Sequence, residues 1–276
     1  VSPLTSLNYT FRIPILLICT QRGAPGVSDE PQHELMGAIT QSMFDTIHVA
    51  HGAFPDQSAD IETALKTASA HMDETRQPFA LIMQKGACAP YPLSPQQILK
   101  RSRATAVGGS GHSHRTAARP TRHGALRTVV DRTGNGATVV IATTGFTGRE
   151  LYSIDDRDNH LYIVGSMGCA SSLGMGLALA RPDLRVVVVD GDGAALMRMG
   201  NLAVVGARGP ANFVHIILDN ESHDSTGSQS TVAAHTDFAG IALACGYRRV
   251  VRAGELEELD NFLKTDEAGP ALLHLK

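Results

Sequence analysis

The chain has 276 residues, 43% of them apolar and 18% charged, enough for one large packed core or two of ordinary size. Its net charge of −3 and pI near 6.5 argue against a dedicated nucleic-acid binder, which is normally basic. Its longest apolar runs, such as Ile15-Leu16-Leu17-Ile18 and Val186 to Val189, are too short to span a bilayer, and no signal-peptide pattern opens the chain, so no membrane partner is expected.

The cysteines, Cys19, Cys88, Cys169 and Cys245, lie far apart with no CxxC spacing. That excludes a disulfide framework or a zinc knuckle and points to a reducing, cytoplasmic setting. The first residue is Val1 rather than Met, which reads as an alternative start or as a piece of a longer protein.

In chain order, residues 13–19 read as a buried strand and 20–34 as a loop rich in Gly, Pro and Asp. Residues 58–72 carry helical apolar spacing at Ile61, Ala64, Leu65 and Ala68, and Phe79–Met83 reads as the next strand. Residues 90–123 change character, with several Pro and Gly and with Arg101, Arg103, Arg115, Arg119 and Arg122. They read as an exposed linker between a first domain, 1–90, and a second, 124–276. His112 and His114 fall in that linker without further metal ligands. From 137 the pattern is regular. Strands are expected at 137–142, 160–164, 185–189, 213–218, 248–251 and 271–275, and helices at 170–180, 196–205, 238–245 and 255–263. Strand and helix alternate, which predicts an α/β fold with parallel sheets flanked by helices.

Three of these strands run into glycine turns, at Gly145, Gly165 and Gly191/Gly193. In a parallel sheet such turns stand at the carboxyl ends of the strands, where open α/β sheets bind ligands. Glycine lets backbone approach a phosphate, and the helix that follows offers N–H donors. Asp192, between two glycines, would repel a phosphate unless a divalent cation stood between them, which predicts Mg2+. A hard octahedral cation takes oxygen ligands. Asp192 offers a carboxylate, Asn220 an amide oxygen and Ser222 its backbone carbonyl. A nicotinamide-type GxGxxG is excluded because Leu196 occupies the last glycine position, and no P-loop string exists.

Gly191-Asp192-Gly193, then 26 residues, then Asn220 resembles the thiamine-diphosphate motif. Asp219 stands where many family members carry a first Asn, a tolerable departure because the second position is the usual ligand. Gly165-Ser166-Met167-Gly168 resembles the family's GSMG segment. The strings Arg22-Gly23-x-Pro25-Gly26, Asp29 to Gly37, Thr143 to Leu151 and Gly165 to Ser171 together resemble phosphonopyruvate decarboxylases and, less closely, sulfopyruvate decarboxylases.

The resemblance implies two thiamine-diphosphate-binding-type domains, the first incomplete by roughly 80–100 residues judged against domain size. It implies a thiamine-diphosphate- and Mg2+-dependent carboxy-lyase that acts on a small 2-oxo acid, 3-phosphonopyruvate, and serves phosphonate, phosphinate and antibiotic biosynthesis. Sulfopyruvate, another 2-oxo acid, or a non-catalytic remnant or subunit are the alternatives. The cofactor would contact Thr144, Gly145, Gly165, Ser166, Met167, Gly191, Asp192, Gly193, Ala194, Asn220 and Ser222, with Asp192, Asn220 and Ser222 on the metal. The Gly165 carbonyl would accept from the aminopyrimidine, and Met167 would wedge under the two rings. A lone Met is ordinarily core filler, and the flanking GS and G change that reading. The glutamate that activates the pyrimidine matches no residue here, so this chain alone is expected to be impaired or inactive. A homodimer or larger homo-oligomer is expected. Arg22 and Arg149, each beyond a predicted strand, are candidates for the phosphonate.

Overall fold

The computed structural model describes residues 1–89, 105–106, 119–134, 136–265 and 268–276. Most of the expected linker, including His112 and His114, lies outside the described residues. The chain divides into two compact units, Val1–Gln97 and Ile98–Lys276.

In the first unit a π-helical turn (Leu4–Asn8) leads into α1 (Tyr9–Phe11) and then β1 (Leu16–Thr20). Next come α2 (Glu34–Thr46), β2 (Ala50–Ala53), α3 (Ile61–Thr75) and β3 (Phe79–Met83). The sheet order is β1-β3-β2, all parallel, with Leu16 and Ala50 both paired to Phe79. Only β3 is buried along its length. Its Phe79 and Leu81 form a small core with Ala68 of α3, bordered by Ala50, Phe54, Ala64 and Met72. β1 corrects the expectation of a buried strand at 13–19. It begins only at Leu16, after Pro14, which has no N–H for a ladder. It lies at the edge of the sheet, with Leu16 38% and Ile18 59% exposed.

The second unit carries β4 (Thr105–Ala106), α4 (Arg122–Arg132), β5 (Thr138–Ala142), α5 (Phe146–Ile154) and β6 (His160–Tyr162). There follow α6 (Ala170–Ala180), β7 (Arg185–Gly191), α7 (Asp192–Met197), α8 (Asn201–Arg208) and β8 (Phe213–Leu218). A two-stranded hairpin of β9 (Ser222–His223) and β10 (Gln229–Ser230) precedes α9 (Phe238–Cys245), β11 (Arg249–Ala253), α10 (Leu256–Lys264) and β12 (Ala271–Leu275). The main sheet has seven parallel strands in the order β4-β11-β12-β8-β7-β5-β6.

Both faces of this sheet are covered, which is why β7 is a run of four valines with no polar alternation. On one face Val187, Val189, Val214, Ile216, Leu273 and Leu275 join Leu126, Val129 and Val130 of α4 and Leu259, Phe262 and Leu263 of α10 in one core. On the other, α6 comes so close that a Cβ at Gly174 would lie 2.3 Å from Val188. Helix ends are set locally. Thr121 Oγ1 accepts from the Gly124 N–H at 3.0 Å to start α4, and Glu255 and Glu258 form a capping box on α10.

The single helix expected at 196–205 is two helices, α7 and α8, broken at Arg198–Gly200. Gly200 is a poor helix interior residue, and the first helix starts four residues earlier than expected, at Asp192. Helix α4 starts at Arg122, inside the stretch read as linker. All four cysteines are free, and among the described residues no helix is long and apolar enough to cross a membrane.

Candidate active site

The winding of the seven-stranded sheet reverses between β6 and β7. From β5 the chain steps outward to β6, then returns across β5 to place β7 on its other side and continues to β8. The carboxyl ends of β5 and β7 therefore diverge into loops that leave in opposite directions, opening a crevice. A cavity of about 300 Å³ lies there. Thr143 and Thr144 line it from the end of β5, Gly191, Asp192, Gly193 and Ala194 from the end of β7, and Asn220, Ser222 and His223 from beyond β8. Met167 joins from the loop after β6, and Lys276 from beyond β12.

Eight of the sequence-derived cofactor residues thus share one wall: Thr144, Met167, Gly191, Asp192, Gly193, Ala194, Asn220 and Ser222. Gly145, Gly165 and Ser166 are not part of that wall. Gly145 stands at the N-cap of α5, and the Gly165 N–H donates to Thr144 Oγ1 at 3.2 Å, so the turns after β5 and β6 are tied together. Ser166 is buried with a left-handed φ of +43°, a conformation a non-glycine residue adopts at a cost.

The centre is Asp192, only 1% exposed. Burial pushes its carboxyl up from the ordinary value. A hydrogen bond from Thr231 Oγ1 at 2.5 Å draws it back, and the charge of Asp219 pushes it up again. Beside it Gly193 is needed for space, because a Cβ there would lie 2.5 Å from the His223 ring. Asn220 is exposed. Its Nδ2 donates to Asp224 at 2.7 Å and its Oδ1 accepts from the Ser222 N–H at 3.1 Å. Glu221, between Asn220 and Ser222, has φ +62°.

This donor set suits Mg2+ and a diphosphate. A carboxylate, an amide oxygen and a main-chain carbonyl are hard oxygen ligands, as Mg2+ requires. Thr143 Oγ1 and Ser222 Oγ, on the same wall, are buried without a hydrogen-bond partner among the described residues. Buried hydroxyls left in that state are expected to find one in a ligand or a water. Because α7 has only six residues, what it can offer is the N–H groups of its first turn rather than a long dipole. Among the described residues no three His, Cys, Asp or Glu side chains gather as a metal site.

The thiamine pyrophosphate enzyme C-terminal TPP-binding domain family matches residues 141–275, a stretch that supplies most of the cavity's lining. Phosphonopyruvate decarboxylase of Streptomyces viridochromogenes is 44% identical over 276 residues, covering 99% of this chain and 68% of that protein. The Streptomyces hygroscopicus enzyme of the same name is 43% identical over the same shares. The chain belongs to the phosphonopyruvate decarboxylase family. A further relative, sulfopyruvate decarboxylase subunit beta of Methanothermobacter thermautotrophicus, is 43% identical over 137 residues, which is 50% of this chain and 72% of that one.

The structure gives the candidate cationic side chains different surroundings. Arg149 is exposed, with its guanidinium 5.6 Å over the Phe146 ring, and does not line the cavity. Arg22 lies in the first unit, where Nε and Nη2 donate to both oxygens of Asp29 at 2.8 and 2.5 Å. Two arginines that do line the cavity are Arg119 and Arg122, missed because they were read as solvated linker, and Arg122 is the better held. Its Nε and Nη2 donate to Glu150 at 2.9 and 2.7 Å, and its Nη1 to Asp224 at 3.1 Å. Burial alone would lower its pKa, but Glu150 and Asp224 outweigh that and raise it. His223 and Lys276 also line the cavity. A local signal for Arg122 existed in Thr121, a good N-cap residue immediately before it.

Proposed function

We propose that this protein binds thiamine diphosphate with Mg2+ and decarboxylates 3-phosphonopyruvate, releasing CO2, taking up one proton and leaving phosphonoacetaldehyde. The observation that carries the reading is the likeness to phosphonopyruvate decarboxylases over 99% of the chain, at 44% identity, with the motif residues gathered on one cavity wall. Asp192, the Asn220 amide oxygen and the Ser222 carbonyl hold the cation. The backbone at Gly191, Gly193 and Ala194 receives the diphosphate. Thr144, Gly145, Gly165, Ser166 and Met167 seat the rings. When bound, the cofactor supplies the electron sink for the pair released with CO2. The chain's part is placement, exclusion of water and charge. Arg119, Arg122 and Lys276 give the cavity the cationic lining that a phosphonate requires.

The reading extends to a homodimer or larger homo-oligomer, a cytoplasmic location and a role in phosphonate, phosphinate and antibiotic biosynthesis. Support for these comes from the family resemblance and, for the compartment, from the free cysteines. Sulfopyruvate is the second reading, favoured by the 43% identity to a sulfopyruvate decarboxylase subunit over half of this chain.

The test is competition. With thiamine diphosphate and Mg2+ present, 3-phosphonopyruvate, sulfopyruvate and pyruvate are offered together and each aldehyde is measured. A preference for phosphonopyruvate of about tenfold or more in kcat/KM is expected. Equal or faster consumption of sulfopyruvate would move the substrate assignment.

A further inference from the structure

The structure gives Asp219, the residue before Asn220, its own partners. Its side chain is wholly buried. Oδ2 accepts from His274 Nε2 at 2.8 Å, and Oδ1 accepts from the Glu221 N–H at 3.0 Å. The protonated ring nitrogen of His274 is assigned as Nε2 because a carboxylate faces it. His274 belongs to β12, is itself buried, and meets the edge of the buried Phe238 ring at 5.3 Å. The main chain repeats the link, since the Asp219 N–H donates to the Leu275 carbonyl at 2.9 Å.

Beyond Asp219 the chain turns sharply. Glu221 is left-handed, and each of its groups is occupied. Its N–H goes to Asp219, its carbonyl accepts from the Thr231 N–H at 2.9 Å, and its carboxylate pairs with Lys276 at 2.6 Å and Arg119 at 3.3 Å. Asn220 and Ser222, on either side of Glu221, have no direct link to β12 in this network. Their direction follows from the turn, and the turn is anchored through Asp219.

We propose that the buried Asp219–His274 pair is a positioning device for the cation site, locking the Asn220–Glu221–Ser222 turn so that the Asn220 amide oxygen and the Ser222 carbonyl are fixed for a hard divalent cation. The proposal rests on the reading of Asn220 and Ser222 as ligands. It also gives Asp219 a reason. A carboxylate accepts from two donors with two oxygens, whereas the single oxygen of an amide serves the His274 N–H and the Glu221 N–H less well. A partner standing behind a metal ligand typically accounts for about 10–100-fold in metal affinity.

The experiment is calorimetric titration of Mg2+ at fixed thiamine diphosphate, on wild type, His274→Leu, His274→Gln and Asp192→Ala, with thermal unfolding of each protein without cofactor. His274→Leu is expected to raise the Mg2+ midpoint about tenfold or more. His274→Gln, which still carries an N–H donor, should stay within about threefold of wild type. A His274→Leu protein that unfolds earlier but keeps the wild-type Mg2+ midpoint would mean that the pair only holds the sheet, and would overturn the proposal. So would a His274→Gln protein as impaired as His274→Leu. Should His274→Leu fail to fold, Asp219→Ala, which removes both acceptors at once, must show the same rise, and an unchanged midpoint there overturns the proposal. Asp192→Ala tests the underlying site separately. If it binds as wild type does, the site reading fails and the proposal with it. If it loses binding while His274→Leu retains the normal midpoint, the proposal alone fails.

Discussion

The two units of this chain use the same parallel α/β grammar but cover their sheets differently. In Ile98–Lys276 the sheet is covered on both faces, and helices α4 and α10 share one continuous core with β5, β7, β8 and β12. In Val1–Gln97 the buried apolar residues of the described part are few, Phe79 to Ile82 of β3 with Leu7, Ala24, Val49 and Ala68, and Leu16, Ile18, Leu35, Met36, Ile61 and Leu65 stay exposed. A strand buried on both faces owes its stability to packing, whereas an edge strand with exposed apolar side chains has little packing to lose. Among the described residues, those that line the cavity belong to the second unit, from Arg119 to Lys276.

The contrast can be broken most sharply at Asp192. Asp192→Ala should weaken Mg2+-dependent thiamine-diphosphate binding by more than about 100-fold, above the range for partners that stand behind a ligand. Arg22→Ala, in the other unit, should leave that binding within about twofold, since Arg22 is assigned no contact with the cation or the diphosphate and surface changes usually do little. Calorimetry on both proteins checks the pair, and equal losses would erase the distinction. Next in size is the core. Leu273, wholly buried in the seven-stranded sheet, should cost about 2–5 kcal/mol on change to alanine, measured by denaturant unfolding. The smallest effect is expected at Ile18, 59% exposed, where Ile18→Ser should shift stability by no more than about 0.5 kcal/mol. A large loss at Ile18 would mean that β1 is covered in solution.

The strands of the second unit were the most legible feature, because a β-branched run such as Val186–Val189 has few other uses. Phe213–Leu218 and Ala271–Leu275 lie where the sequence puts them, as do helices α6 and α9. Illegible were the elements defined by what they pack against. Helix α2 has polar residues such as Gln41 and Ser42 and little contrast between its faces, and β2 is the weakly apolar Ala50-His51-Gly52-Ala53. In the site, glycine turns and the Asp192 to Asn220 spacing were readable because they are local in sequence. Arg122 and His274 were not. Each reaches its partner across a sequence gap, 102 residues from Arg122 to Asp224 and 55 from Asp219 to His274, that only the sheet order closes. Arg149 looked better placed than Arg122 because it follows a strand, yet three residues into a helix its side chain is carried onto the exposed surface.

A parallel sheet has two rims, and this one divides labour between them. Every loop that builds the cavity leaves from the carboxyl rim or joins it. The opposite rim is closed by Asn212, whose Nδ2 lies 3.2, 3.1 and 2.6 Å from the carbonyls of Ala178, Arg181 and Leu184. One side chain there gathers the end of α6 and the entry to β7. The turn at Arg181–Leu184 is thus a place where a fluorophore, an affinity tag or a few inserted residues can be carried without crossing the chemistry, provided Asn212 is kept. For anyone wishing to watch the cofactor arrive, that rim is the handle by which to hold the protein.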